Sequence, residues 1–174
     1  MTTKLFEKVC KRSRKWGESN DCTVKALAIA TGISYEQAHG LLALRGRSYR
    51  KGTDMSSVWS AMKEIGWKAT TVVDRKKIEF HDKWIDKDYG FKIKQSVQDT
   101  VKKMKKHRLY PAKPIKTLPD YLPSRGIFLV ETSAHALCVR AGQIHDWTKN
   151  RRHRITQIHQ ISRIKEVTTQ PKDL

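Results

Sequence analysis

Along the first third of the chain apolar residues recur at helical spacing; along the last third they alternate or run together as strands do. Leu5, Phe6, Val9 and Trp16 stand among basic side chains and predict a short helix, or an arm lying on the domain. The run Asn20-Asp21-Cys22-Thr23-Val24-Lys25-Ala26-Leu27-Ala28-Ile29-Ala30-Thr31-Gly32 predicts a helix with Asn20 or Asp21 as N-cap and Gly32 as its stop. Ser34 followed by Gln37 fits a capping box, and Ala38, Leu41 and Leu42 line one face as far as Gly46. Thr53 is expected to cap a further helix whose stripe is Met55, Val58, Trp59, Met62 and Ile65, ending at Gly66.

The period then changes. Trp67 to Val73 reads as a strand. Between about residues 74 and 116 the pattern weakens: Phe80, Trp84, Tyr89 and Phe91 are scattered among charges, a helix is expected from Gln95 to His107, and Pro111 and Pro114 break the chain after it. Thr117 to Leu122 predicts a helical turn. Ile127–Thr132 and His135–Arg140 predict strands, and Ile144–Trp147 a third, closing an antiparallel hairpin through Ala141-Gly142-Gln143. Residues 151–164 are expected to return as a basic edge strand, although the isoleucine spacing also allows a helix. The class is α+β: one domain over residues 1–174, with a helical part at about 18–66, a basic insertion at about 74–116 and a sheet part at about 117–165.

Charge adds a second theme. Lys and Arg outnumber Asp and Glu by 36 to 17, a formal net charge of +19. Such a surface suits nucleic acid or an acidic host protein. The loop Arg45 to Gly52 concentrates it, and Arg45, Arg47, Arg50 and Lys51 are candidate anion or nucleic-acid contacts. Three cysteines at irregular spacing suit a reducing cytosol better than a disulfide framework. With no secretory leader pattern and no run of apolar residues long enough to span a bilayer, the expected location is cytoplasmic, with no membrane partner. Cys10 and Cys22 with His145, His153 and His159 do not fall into paired zinc-ligand spacing, and no nucleotide-binding glycine fingerprint is present; no metal and no cofactor is expected.

The candidate chemistry centres on Cys22. A thiol in the first turn of a helix lies among unpaired backbone N–H groups that favour the thiolate, its reactive form. A thiol hydrolase also needs a base to move its proton and a group to orient that base. His135 opens one strand of the hairpin and Asp146 lies near the start of the next, so the two are expected side by side. His145 points to the other face of an alternating strand, and His39 reads as a helix-surface or packing residue.

A helix-start cysteine, a helical lobe, then a sheet carrying His and Asp in that order resembles the papain-like cysteine peptidases. The small bacterial forms that process bacteriocin leaders, and related phage-encoded proteins, are the most similar. The likeness is carried by Asn20-Asp21-Cys22 and its alanine-rich helix, Tyr35-Glu36-Gln37-Ala38-His39, Gly52-Thr53, and Arg125-Gly126-Ile127-Phe128-Leu129-Val130 leading to His135-Ala136 and Asp146. The resemblance implies Cys22 as nucleophile, His135 as general base and then acid, and Asp146 as orienter of the imidazole. It implies a polypeptide or amide substrate, with the backbone N–H of Cys22 in the oxyanion hole. Trp16 stands where the family usually has the glutamine that gives the second oxyanion donor, so Asn20 or Ser19 is the candidate replacement. The alternative is a papain-like scaffold that binds nucleic acid or an acidic host protein through its basic surface.

Overall fold

The alanine-rich run becomes the central helix because no face of it is polar enough for water. In a computed structural model of the chain, which describes residues 2–74, 113–114, 122–148, 152–153 and 155–164, this helix is α2 (Cys22–Thr31). Eight of its ten residues are buried, as expected of a helix apolar all round. α1 (Lys4–Lys15), α3 (Tyr35–Ala43) and α4 (Met55–Glu64) pack around it. α2 ends at Gly32, whose φ of 78° is left-handed and whose N–H bonds the Ala28 carbonyl at 2.9 Å. A Cβ at that φ is strained, so Gly32→Ala is expected to lower stability by about 1 kcal/mol, read as a shift in the urea midpoint.

The helix starts follow local hydrogen-bond chemistry. Thr3 caps α1 through its hydroxyl, and Ser34 with Gln37 forms the reciprocal capping box of α3. α4 starts one residue later than expected: Asp54, not Thr53, is its N-cap, its carboxylate accepting from Ser57 N at 2.9 Å. Asp21 occupies the N-cap position of α2, yet its side chain makes no capping bond.

The strands are β1 (Trp67–Asp74), β2 (Lys113–Pro114), β3 (Ile127–Thr132), β4 (Ala136–Arg140), β5 (Gln143–His145), β6 (Arg152–His153) and β7 (Ile155–Arg163). Five of them form one antiparallel sheet in the order β1-β7-β3-β4-β5; β2 pairs with β6 apart from it. The α+β class is thereby established. The expected helix at Gln95–His107, the turn from Thr117 and the aromatics Phe80, Trp84, Tyr89 and Phe91 lie outside the described residues.

Residues 155–163 are a strand, and an inner one, flanked by β1 and β3, rather than the edge strand expected from their basic character. The isoleucine spacing that mimics a helix has a sheet explanation. Ile161 faces the helices with Leu129 and Cys138, whereas Ile155 and Ile158 join Phe128, Val130, Leu137 and Val139 on the opposite face. A register irregularity at Glu131/Thr132 lets Ile155 and Ile158, an odd number of residues apart, share that face. The sheet is thus buried on both faces, and Arg140 ties it to α2 by donating from Nη1 to the Ile29 carbonyl at 2.9 Å.

Candidate active site

The start of α2 is fixed by what lies under it. The Asp21 carboxylate turns inward and accepts from Ser13 Oγ at 2.6 Å, Lys25 Nζ at 2.7 Å and Tyr35 Oη at 2.8 Å. Burial alone would raise its pKa, but these three donors hold it below the ordinary carboxylate range. Because Ser13 belongs to α1 and Tyr35 to α3, three helices meet at the residue just before Cys22.

Cys22 is half-buried, and the His135 side chain and the backbone amide of Ala136 lie close enough to its thiol to lower its pKa. His135 sits just before β4, with Nε2 at 3.0 Å from each oxygen of Asp146. With Nε2 so engaged, Nδ1 is the ring nitrogen left for the thiol. Asp146, itself buried, lies just past β5 and also accepts from the amide of Thr148 at 2.9 Å and from the Thr148 hydroxyl. The hairpin pairs Cys138 with His145, so His135 and Asp146 are not directly opposed. They meet instead across the open end of the hairpin, Asp146 being held in place by the Asp146-Trp147-Thr148 turn.

The electrostatics arise from this chain of bonds. Burial pushes the Cys22 thiol up, but the His135 hydrogen bond, the amides of Ala136 and Thr23 and the imidazole's charge outweigh it and leave the thiol below its ordinary value. Burial likewise disfavours the imidazolium, yet bonds to Asp146 and Cys22 and their negative charges raise His135 to about 9. Asp146, opposed by burial, is held down by His135 and Thr148. The three groups therefore favour thiolate, imidazolium and carboxylate together. The other two thiols differ: burial raises Cys10, and full burial pushes Cys138 up to about 12.

The remaining candidates sit around the rim of this site or away from it. Ser19 and Asn20 are exposed, and Asn20, at φ 52°, donates from Nδ2 to the Arg50 carbonyl at 3.2 Å. Trp16 packs against His39 with tilted rings, their centroids 4.9 Å apart. His39 in turn bonds Glu18 at 2.7 Å. His145 is buried, its Nδ1 2.6 Å from the hydroxyl of Thr3. Of the anion-contact candidates, Arg47 is buried and forms a fork onto Glu18, at 3.2 and 3.0 Å. Arg45 is held by the Leu41 carbonyl, Ser60 and Glu64, and Arg50 donates from Nε to the Gly17 carbonyl at 2.8 Å. Three of the four loop cations are thus engaged within the fold, and Lys51 alone of the four is exposed with no such bond among the described residues.

Sequence reasoning missed the supports: Ser13, Lys25 and Tyr35 around Asp21, the Ala136 amide on the thiol, and Thr148 on Asp146. Thr148 had a legible signal, since an aspartate accepts readily from a donor two residues on. Among the described residues no group of three or more His, Cys, Asp or Glu side chains is arranged to hold a metal, and no helix is long and apolar enough to cross a membrane. A cavity of about 500 Å³ between α4 and β1, lined by Trp59, Trp67 and His159 among others, includes none of Cys22, His135 and Asp146. No family model matches the chain, and neither a curated protein nor a solved structure does.

Proposed function

We propose that this protein is a papain-like thiol hydrolase that cleaves a peptide, isopeptide or amide bond through an acyl-enzyme on Cys22. The observation that carries the reading is the convergence of Cys22, His135 and Asp146, drawn from two distant parts of the sequence: His135 is hydrogen-bonded to Asp146 and lowers the pKa of the helix-start thiol. The helical lobe packed against an antiparallel sheet agrees with the layout that the resemblance implies. A reducing cytosol, of a host cell if the protein is phage-encoded, keeps the thiol free.

The steps use only these groups. The Cys22 thiolate attacks the carbonyl carbon, and the C=O electron pair moves onto oxygen, where the Cys22 backbone N–H receives it. The oxyanion collapses, the C–N bond breaks, and the His135 imidazolium gives its proton to the departing amine. Now neutral, His135 takes a proton from water, whose oxygen displaces the sulfur and releases the acid. Asp146 keeps the imidazole turned toward the thiol and stabilises its cation at each proton transfer.

Cysteine-resolved iodoacetamide labelling tests this against pH. Cys22 is expected to label first, at a pH below the ordinary thiol range, with Cys10 labelled only at higher pH and Cys138 unreactive until the protein unfolds. Hydrolysis is expected to rise as Cys22 ionises and to fall above about pH 9, where His135 loses the proton the leaving amine needs. Equal labelling of Cys22 and Cys10 at every pH would contradict the reading.

A further inference from the structure

We propose that the cavity between α4 and β1 takes one unpaired base of a single-stranded nucleic acid, stacked on Trp59 or Trp67, while Lys63 and Arg163 meet the phosphates beside it. The site is separate from the triad. It lies at the β1 end of the strand order, whereas His135 and Asp146 stand beside β4 and β5 at the other end.

The chamber follows from residue spacing on two elements. Trp59 and Lys63 are four residues apart on α4 and share the face that lines it. On β1, Trp67, Ala69 and Thr71 follow the strand's period of two and line it from the sheet side. Ala69 puts only a methyl between two larger neighbours. The hollow left is about 500 Å³, within the roughly 300–1,000 Å³ usual for small-ligand sites. It has room for a base and its sugar, but a duplex keeps its bases stacked inside and cannot offer one.

The lining selects the occupant. Both indoles are held by a neighbour: Trp59 packs on His159 with ring centroids 4.5 Å apart, and the Arg163 guanidinium lies 4.7 Å from the centre of the Trp67 ring. Each is a flat surface fixed in advance, and every base has a π-face to lay on it. His159 is buried and held in turn. Its Nε2 donates to Glu131 at 2.7 Å, so in the neutral ring Nδ1 accepts from the Thr71 hydroxyl at 3.1 Å. The threonine oxygen, at the cavity wall, is left to accept from a base N–H.

The rim is cationic. Lys63 and Lys68 line the cavity, are exposed, and make no hydrogen bond or ion pair among the described residues. Arg163 is exposed too, and has no carboxylate partner among them. Unpaired cations occur elsewhere on this basic chain; these differ in standing around two fixed indoles. By contrast, the loop bearing Arg45, Arg47 and Arg50 spends those three cations inside the fold. A strand suits the site better than a free nucleotide. Among the described residues no buried lysine or arginine lines the cavity to clamp a lone phosphate, whereas a net charge of +19 attracts every phosphate of a polymer.

Fluorescence anisotropy of a short labelled DNA strand, alone and annealed to its complement, tests this. Trp59→Ala is expected to weaken binding of the single strand about tenfold and of the duplex less than about twofold, because only the former loses a stacked base. Trp59→Phe, which keeps a ring, should stay close to the unaltered protein. Lys63→Glu is expected to weaken both forms and to flatten the salt dependence. A strand carrying 5-iodouracil, irradiated on the unaltered protein, should cross-link to Trp59, Trp67 or His159, as mapped by peptide mass; this arm decides the matter even where Trp59→Ala fails to fold. Equal losses on single strand and duplex in Trp59→Ala, or cross-links confined to other residues, would mean unspecific attraction by the basic surface and overturn the proposal. So would thymidine monophosphate displacing the strand at equal concentration, since the pocket would then be one for free nucleotides.

Discussion

Cys22→Ala and His135→Ala are each expected to lower kcat/KM by about 10⁴–10⁶-fold, and the double variant by no more than either alone. In the proposed mechanism the two side chains act as one unit, since the imidazole that favours the thiolate also gives the departing amine its proton. Removing His135 takes away the strongest support of the thiolate, while burial still raises the thiol. Cys22 labelling at neutral pH is therefore expected to slow in His135→Ala, while Cys10, which burial holds up, keeps its slow rate. Asp146→Ala is expected to be milder in kcat/KM, by roughly two orders of magnitude, because the imidazole survives but is free to turn. Additive losses in the double variant, or unchanged labelling of Cys22 without His135, would separate the thiol from the ring and end the mechanism.

The largest expected loss of stability lies away from the nucleophile, at Glu18. Its carboxylate is fully buried and accepts from Nη1 and Nη2 of Arg47, from His39 and from the Arg50 amide. Glu18→Ala strands the buried guanidinium of Arg47, a cost of about 3–5 kcal/mol. At the usual response for a chain of this size, Tm falls by about 10 °C. The pH dependence has a definite sign. Although burial opposes ionisation, the Arg47 and His39 bonds hold Glu18 at about 2, below its ordinary 4.5. Its contribution is thus present above pH 4.5 and lost as pH falls toward 2. Acid titration of the urea midpoint should show a smaller drop over that window in Glu18→Gln than in the parent. An equal drop in both would mean that the ion pair contributes nothing.

Much of the architecture was written in apolar periodicity. The cap at Ser34, the stop at Gly32 and the hairpin through Ala141-Gly142 are local events, and local hydrogen-bond chemistry decides them. Cys22, His135 and Asp146 were legible for a related reason: a helix start and a hairpin each restrict where a side chain points. What the sequence hid was the use of charge. Arg45, Arg47 and Arg50 look like an anion-binding loop in one dimension. In three they are consumed by Glu64, Glu18 and backbone carbonyls brought in by other helices. Likewise Asp21 reads as a helix cap, but buried donors on α1 and α3 outcompete the local backbone for its carboxylate. The inner position of β7 was hidden by its polar composition, because its few isoleucines are divided between two cores and do not line a single face.

That inner position has a consequence for synthesis. β1 and β3 are separated in the sheet by the strand made last among them, so β1 has no sheet neighbour and β3 only β4 until Ile155–Arg163 has left the ribosome. The hairpin bearing His135 and Asp146 can pair early, whereas the sheet joins up only with this late segment, a long-range closure of the slow kind. A nascent chain halted before it would carry every reacting group on a sheet still split in two.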